Sequence, residues 1–228
     1  MQTVKGIIFD FNGTMIYDSP IHRGVWMDFI PAHGGVLTEE GFDKRILGRD
    51  NAHILVDFFG ELSEEQIDRM TYEKEAEYRR RCVNDPRFKL VDGLVEFLDA
   101  LKAAGVPMTI ATGSERLNVE FYFSSEKLGL ERWFDFNKVV YDDCSFPGKP
   151  NPDIFLKAAE KLGLPCEDCM VFEDSYSGIV AAHRAGARYI VALGEGVTAD
   201  RFTDAGGVDV AVSDFKHPEL FPGLALSF

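Results

Sequence analysis

Cysteine is scarce in this chain: 228 residues contain four, Cys82, Cys144, Cys166 and Cys169. So few exclude a disulfide-framed scaffold and fit a reducing, cytoplasmic setting, and a chain this long can bury a core without staples. Cys166 and Cys169 form a C-x-x-C. Cys82 and Cys144 make no second tight pair for a structural zinc. The pair also precedes an apolar run instead of opening a helix, as a redox motif does, so both are read as ordinary cysteines. Long hydrophobic runs are missing too, and none nears the roughly 20 residues of a membrane span. The opening MQTVKGIIFDFNG has one lysine and a short apolar stretch that runs straight into Asp10. It reads as a buried strand, not a signal peptide. An excess of basic residues is absent: Lys and Arg number 24 against 38 Asp and Glu, a net charge of −14. That balance argues against nucleic acid or an anionic membrane as partner, and a small anionic substrate would need a locally positive pocket. Repeats, low-complexity segments and charged tails are likewise lacking.

Short apolar runs alternate with helical patterns. Strand-like runs are Gly6–Phe9, Val106–Ala111, Met170–Phe172 and Tyr189–Leu193, with a weaker one at Val208–Val212. Gly93–Ala104 has apolar residues at i, i+3 and i+4 and stops at Gly105. Asp153–Leu162 follows Asn151 as expected N-cap and Pro152 as first helical residue. Ser177–Ala185 stops at Gly186. This alternation predicts an α/β fold, a doubly wound parallel sheet. Residues 17–85 break the rhythm, with helical stretches at Ile21–Ala32, Glu39–Leu47, Asn51–Gly60 and Ser63–Arg81 and no strand-like run. They predict an inserted all-helical cap, leaving 1–16 and 86–228 as the core domain. The apolar C-terminal segment PELFPGLALSF is expected to pack on that core, with a partner surface as the alternative.

Ligands bind at the carboxyl ends of strands in an open parallel sheet, and three of these strands end in polar clusters. They are Asp10-Phe11-Asn12-Gly13-Thr14, Thr112-Gly113-Ser114 and Glu173-Asp174-Ser175, with Gly148-Lys149-Pro150 between the last two. Asp10, Asp174 and Glu173 offer hard oxygens of the kind magnesium takes together with phosphate. Thr112 and the amides near Gly13, Gly113 and Ser114 can donate to a phosphoryl group. Lys149 can neutralise it, and Asp10 can attack phosphorus as a covalent nucleophile. Taken singly, Asp10 or Glu173-Asp174 could be a helix cap, Thr112 a turn residue and Lys149 a surface lysine. The ordered set favours chemistry.

That set resembles the haloacid dehalogenase superfamily. D-x-N-G-T at Asp10–Thr14 is similar to its first motif, Thr112 to its second, Lys149 to its third and Glu173-Asp174 to its fourth. The helical insertion resembles the small cap of the β-phosphoglucomutase-like branch, which covers the site. The resemblance runs from about residue 4 to 212 and is most specific in GKPNPDIFLKAAEKLGL and VFEDSYSGIVAAHRAG. It implies Asp10 as nucleophile and Thr112 and Lys149 as phosphoryl holders. It also implies Mg2+ on Asp10, Asp174 and the main-chain carbonyl of Asn12, with Glu173 contributing directly or through water. Gly13, Thr14, Gly113 and Ser114 would line the substrate, a small phosphorylated metabolite. Within the cap, His22 has the spacing of a histidine that contacts the acid residue, and Gly48-Arg49 resembles an element that clamps an anion. A partly buried helix histidine and a surface arginine are the plain alternatives. Asp18-Ser19-Pro20 resembles the linker after the first motif, shifted by one residue. A monomer is expected, with a dimer left open.

One position departs from the pattern. Phosphatases and mutases of this kind have a second Asp where Asn12 stands, and that Asp protonates the leaving group and later activates water. An amide does neither, and such a group contributes about 10²–10⁴-fold. Asn12 therefore points to slow turnover, or to acyl phosphates and pyrophosphate, whose leaving groups need no proton. Three explanations stand open: a native specialisation, an introduced substitution, or slow deamidation of Asn12-Gly13 to Asp or isoaspartate. The leading expectation is a phosphohydrolase. The alternatives are a β-phosphoglucomutase-type phosphotransferase, which Asn12 disfavours, and a phospho-ligand-binding protein with weakened catalysis.

Overall fold

The computed structural model describes residues 4–46, 49–194 and 196–216. It divides into two compact units, residues up to Tyr17 together with those from Lys89 onward, and Asp18–Phe88.

The first unit is built on a six-stranded parallel sheet: β1 (Gly6–Phe9), β2 (Met108–Glu115), β3 (Val140–Asp142), β4 (Cys169–Glu173), β5 (Tyr189–Leu193) and β6 (Val210–Val212). Their order is β3-β2-β1-β4-β5-β6. The expected doubly wound sheet is therefore present. Every residue of the central strand β1 is buried, and its side chains alternate between the two faces of the sheet as period-2 geometry requires. Ile8 faces Ala111, Val171 and Ile190 in one apolar cluster, and Phe9 stacks on Phe172 with centroids 5.0 Å apart. Phe97 and Phe215 complete that aromatic face. Helices α5 (Leu94–Ala103), α6 (Arg116–Ser124), α7 (Asp153–Leu162) and α8 (Tyr176–Arg184) connect the strands.

Several expectations need correction. β2 starts at Met108 and runs on through Thr112-Gly113-Ser114, so the second polar cluster lies within the strand. β3 and α6 were not expected: β3 is a three-residue edge strand, too short to show a period. The α7 N-cap is Pro152, and the Asn151 side chain instead donates to the Gly148 carbonyl at 2.9 Å.

The second unit holds the helices α1 (Ser19–Ala32), α2 (Glu39–Arg45), α3 (Asn51–Phe59) and α4 (Glu64–Asn84). Trp26, Phe29, Ile30, Leu37, Phe42, Ile54, Leu55 and Met70 form its core. Ser63 and Gln66 form the reciprocal capping box at the α4 N-terminus, which satisfies two otherwise unpaired amides. Leu47 and Gly48, and the C-terminal PELFPGLALSF, lie outside the described residues.

None of the four cysteines is in a disulfide. Cys166 and Cys169 are buried, and burial pushes them up to about 11 and 12. Cys82 is buried and also raised to about 12, whereas Cys144 is exposed. Titration of the native protein with a thiol reagent is therefore expected to find one fast thiol, and denaturant to release the other three. Fast reaction of Cys166 or Cys169 would reopen the redox reading.

Candidate active site

The strand order reverses direction between β1 and β4, and a crevice opens at such a switch point. Phe9 pairs with Phe172, and the Asp10 amide donates to the Phe172 carbonyl at 2.9 Å. Asp10 and Glu173 thus leave adjacent strands side by side. Lys149 reaches both, with Nζ donating to Asp10 Oδ1 at 2.6 Å and to Glu173 Oε1. Burial pushes the Asp10 carboxyl up to about 7, with Lys149 opposing the rise and Glu173 adding to it. Burial works against the Lys149 charge, but Asp10 and Glu173 outweigh it and hold the ammonium above the ordinary lysine range. Two carboxylates around one buried cation leave an excess of negative charge, a setting that welcomes a further cation.

Glu173 is fully buried and tightly held. Its Oε2 accepts from the amides of Asp174 and Ser175, at 2.8 and 2.7 Å, and from Ser175 Oγ at 2.9 Å. Ser175 is also the N-cap of α8, accepting from the Gly178 amide at 3.0 Å. Asp10, Glu173 and Asp174 each present an oxygen within 4.8 Å of the others. Two glycines make room for this cluster. A Cβ on Gly13, whose φ is +83°, would lie 2.1 Å from Asp174 Oδ2, and one on Gly178 would lie 1.8 Å from Glu173 Oε1.

Thr112 and Ser114 meet Asn12. Ser114 Oγ donates to Asn12 Oδ1 at 2.8 Å, Thr112 Oγ1 donates to the same oxygen at 3.4 Å, and Asn12 Nδ2 donates to the Tyr122 hydroxyl at 3.0 Å. Tyr122 lies on α6, so nothing in the sequence reading singled it out. The available signal was its place in NVEFYF, where Val119, Tyr122 and Phe123 share the buried side of the helix.

Two amides expected to face a phosphoryl group are used internally: Gly13 donates to the Ile16 carbonyl at 2.9 Å and Ser114 to Thr112 Oγ1 at 3.1 Å. Gly113 is exposed, with open space where a Cβ would stand. Thr14 is fully buried, and its hydroxyl has no partner among the described residues. The tie on the Gly13 nitrogen and the hold on the Asn12 carbonyl both oppose the closure that deamidation of Asn12-Gly13 requires.

His22 and Arg49 belong to the helical unit. His22 Nε2 lies 3.2 Å from Asp18 Oδ2, and its Nδ1 lies 3.2 Å from Lys74 Nζ. Lysine only donates, so Nδ1 is the acceptor and Nε2 carries the proton toward Asp18. The ring stacks on Tyr78 at 3.9 Å, and the Tyr78 hydroxyl donates to Asp18. Lys74 and Glu75 are buried and paired at 2.7 Å, and Asn51 Nδ2 donates to Glu75 at 2.9 Å. Both nitrogens of His22 are thus occupied within its own unit, as part of a part-buried polar chain joining α1, α3 and α4. Arg49 donates to the carbonyls of Arg45 and His53 at 3.3 and 3.4 Å and lies 3.4 Å from Asp57.

A profile of haloacid dehalogenase-like hydrolases matches residues 4–186. The chain belongs to this family. Fructose-1-phosphate phosphatase YqaB of Escherichia coli is 31% identical to this hydrolase over 81% of the chain and 94% of its own length. A solved hydrolase of the same family from Entamoeba histolytica (family IA, variant 3) superposes with a TM-score of 0.86 at 36% identity, covering 93% of this chain and 94% of its own. A β-phosphoglucomutase from Clostridium difficile shares the fold, with a TM-score of 0.76 at 21% identity over 94% of this chain and 92% of its own. This hydrolase is an enzyme of the phosphatase type. Among the described residues, no helix is long and apolar enough to cross a membrane.

Proposed function

We propose that this hydrolase removes phosphate from a small phosphorylated metabolite, through an aspartyl-phosphate on Asp10, with Mg2+ as cofactor. The carrying observation is Asp10 buried at the β1–β4 switch point, 2.6 Å from Lys149 and beside Glu173 and Asp174. The YqaB relative, a fructose-1-phosphate phosphatase, supports the substrate class.

The donor set suits magnesium: all oxygen, with carboxylates surplus to the local positive charge. Asp10 and Asp174 would hold it. Glu173, with both oxygens already accepting hydrogen bonds, braces Asp174 and Lys149 from behind. When bound, the ion supplies charge neutralisation for the phosphoryl oxygens. Lys149 supplies a second positive charge from the loop between β3 and α7, and Thr112 a hydroxyl donor. A phosphotransferase of the mutase type shares this nucleophile but needs proton transfer at two sugar hydroxyls, which Asn12 does not provide.

Phosphate release should be measured on sugar phosphates, nucleotides, acyl phosphates and pyrophosphate, with magnesium and with EDTA. Release from at least one compound is expected, and EDTA should abolish it. Silence across the panel, together with no magnesium-dependent binding of beryllofluoride, would overturn the reading in favour of a phospho-ligand-binding protein.

A further inference from the structure

The side chain of residue 12 sits in a pocket of hydroxyls. Ser114 Oγ has one hydrogen and gives it to Asn12 Oδ1. Ser114 Oγ is also 3.3 Å from the Tyr122 hydroxyl, so in that contact Tyr122 is the donor. The Tyr122 oxygen in turn accepts from Asn12 Nδ2. Three groups thus close a ring in which each donates once and accepts once: Asn12 amide to Tyr122, Tyr122 to Ser114, Ser114 to the Asn12 carbonyl. Tyr122 is 1% exposed and its ring stacks on Phe11 at 4.4 Å, so its hydroxyl is held where the ring needs it. Only a side chain with both a donor and an acceptor at its tip completes this circuit. A carboxylate cannot donate to Tyr122. With Asp at position 12 the ring opens, and Ser114, Thr112 and Tyr122 all turn their hydrogens toward the two oxygens.

We infer that Tyr122 is a positioning residue that, with Ser114, builds the site around an amide at position 12 and so selects substrates whose leaving group departs without a proton. This rests on the phosphohydrolase reading. The step is in-line: an Asp10 carboxylate oxygen bonds to phosphorus while the bond from phosphorus to the leaving oxygen breaks. The electron pair stays on that oxygen, which leaves as an anion such as a carboxylate. Water then attacks the aspartyl phosphate, giving back the Asp10 carboxylate and inorganic phosphate, with the water's proton passing to phosphate or solvent. An amide tied into the ring takes no proton in either half, so reactivity depends steeply on the basicity of the leaving oxygen.

The test compares wild type, Tyr122→Phe, Asn12→Asp and the double variant, with magnesium. The substrates are acetyl phosphate and a series of aryl phosphates of rising leaving-group pKa, and urea unfolding is run in parallel. Wild type is expected to favour acetyl phosphate over phenyl phosphate by at least ten-fold, with log kcat/KM falling steeply along the aryl series. Asn12→Asp alone should gain less than ten-fold on phenyl phosphate, because Tyr122 still holds the new carboxylate. Adding Tyr122→Phe should raise kcat on phenyl phosphate by a further ten-fold and flatten the slope, a change that lost packing alone would not produce. In unfolding, a separate cycle of Asn12→Ala and Tyr122→Phe, which removes the contact from each side, should couple the two residues by at least ten-fold in the equilibrium constant. A gain of about 10²-fold or more for Asn12→Asp alone, unaltered by Tyr122→Phe, would overturn the inference. So would an unfolding coupling below two-fold. If Asp10→Asn releases phosphate from acetyl phosphate as fast as wild type, the phosphohydrolase reading itself has failed, and with it the leaving-group selection; the unfolding cycle then judges the ring separately.

Discussion

Asp10→Asn is expected to lower turnover by at least about 10³-fold and, at the same time, to make the metal-free protein more stable above neutral pH. The loss of turnover follows because an amide oxygen does not attack phosphorus and holds a cation less well. The gain in stability follows from the cost of the native carboxylate. Asp10 is raised from 3.8 to about 7, burial being the main cause. A carboxyl whose folded value lies above its unfolded value weakens the fold once pH exceeds the unfolded value. The penalty grows from about pH 4 to pH 7 and is constant beyond. Relieving it is worth of the order of 2–4 kcal/mol at pH 8. Glu173 still pairs with Lys149 in the variant, so the cation is not orphaned. Urea unfolding at pH 4 and pH 8 checks the sign: equal stability at pH 4 and a more stable variant at pH 8. A variant that keeps its activity within ten-fold would remove Asp10 from the chemistry.

Gly178→Ala is expected to destabilise the protein by about 1–3 kcal/mol and to weaken magnesium binding by ten-fold or more. Helix propensity predicts the reverse, since alanine within α8 is favoured over glycine by up to about 1 kcal/mol. Sterics decide against it. The new Cβ would fall 1.8 Å from Glu173 Oε1 and 1.9 Å from its Cδ. That side chain cannot swing away cheaply: it is fully buried, pinned by three donors on one oxygen and by Lys149 on the other. Either α8 shifts, which breaks the Ser175 cap, or Glu173 moves and drags Asp174 and Lys149 out of place. Calorimetric magnesium titration alongside thermal unfolding separates the two. Full stability with unchanged magnesium affinity would show that Glu173 is not the brace described.

Much of this was legible in the chain. The strands Gly6–Phe9 and Tyr189–Leu193 have the bounds their apolar runs suggest, because a strand buried on both faces needs uninterrupted apolar residues. The capping box at Ser63 and Gln66 is a local signal, complete within four residues. β3 and α6 escaped because their identity depends on partners elsewhere. β3 is a strand only by pairing with β2, and α6 is set by the packing of Val119, Tyr122 and Phe123.

For the site, sequence alone determined which chemical groups are available and that Asp10 and Glu173-Asp174 stand at strand ends. Those carboxylates follow apolar runs, and a parallel sheet sends such ends to one side, whereas Thr112 and Ser114 lie within β2 and Lys149 in the loop before α7. The tertiary structure decided how those groups are spent. The Gly13 and Ser114 amides go to internal carbonyl and hydroxyl partners, both nitrogens of His22 go to Asp18 and Lys74, and Glu173 becomes a brace. The amide of Asn12 goes to a tyrosine 110 residues away. Hydrogen-bond donors and acceptors are few and short in reach, so their use depends on neighbours within about 3 Å, and those neighbours exist only once the chain has folded.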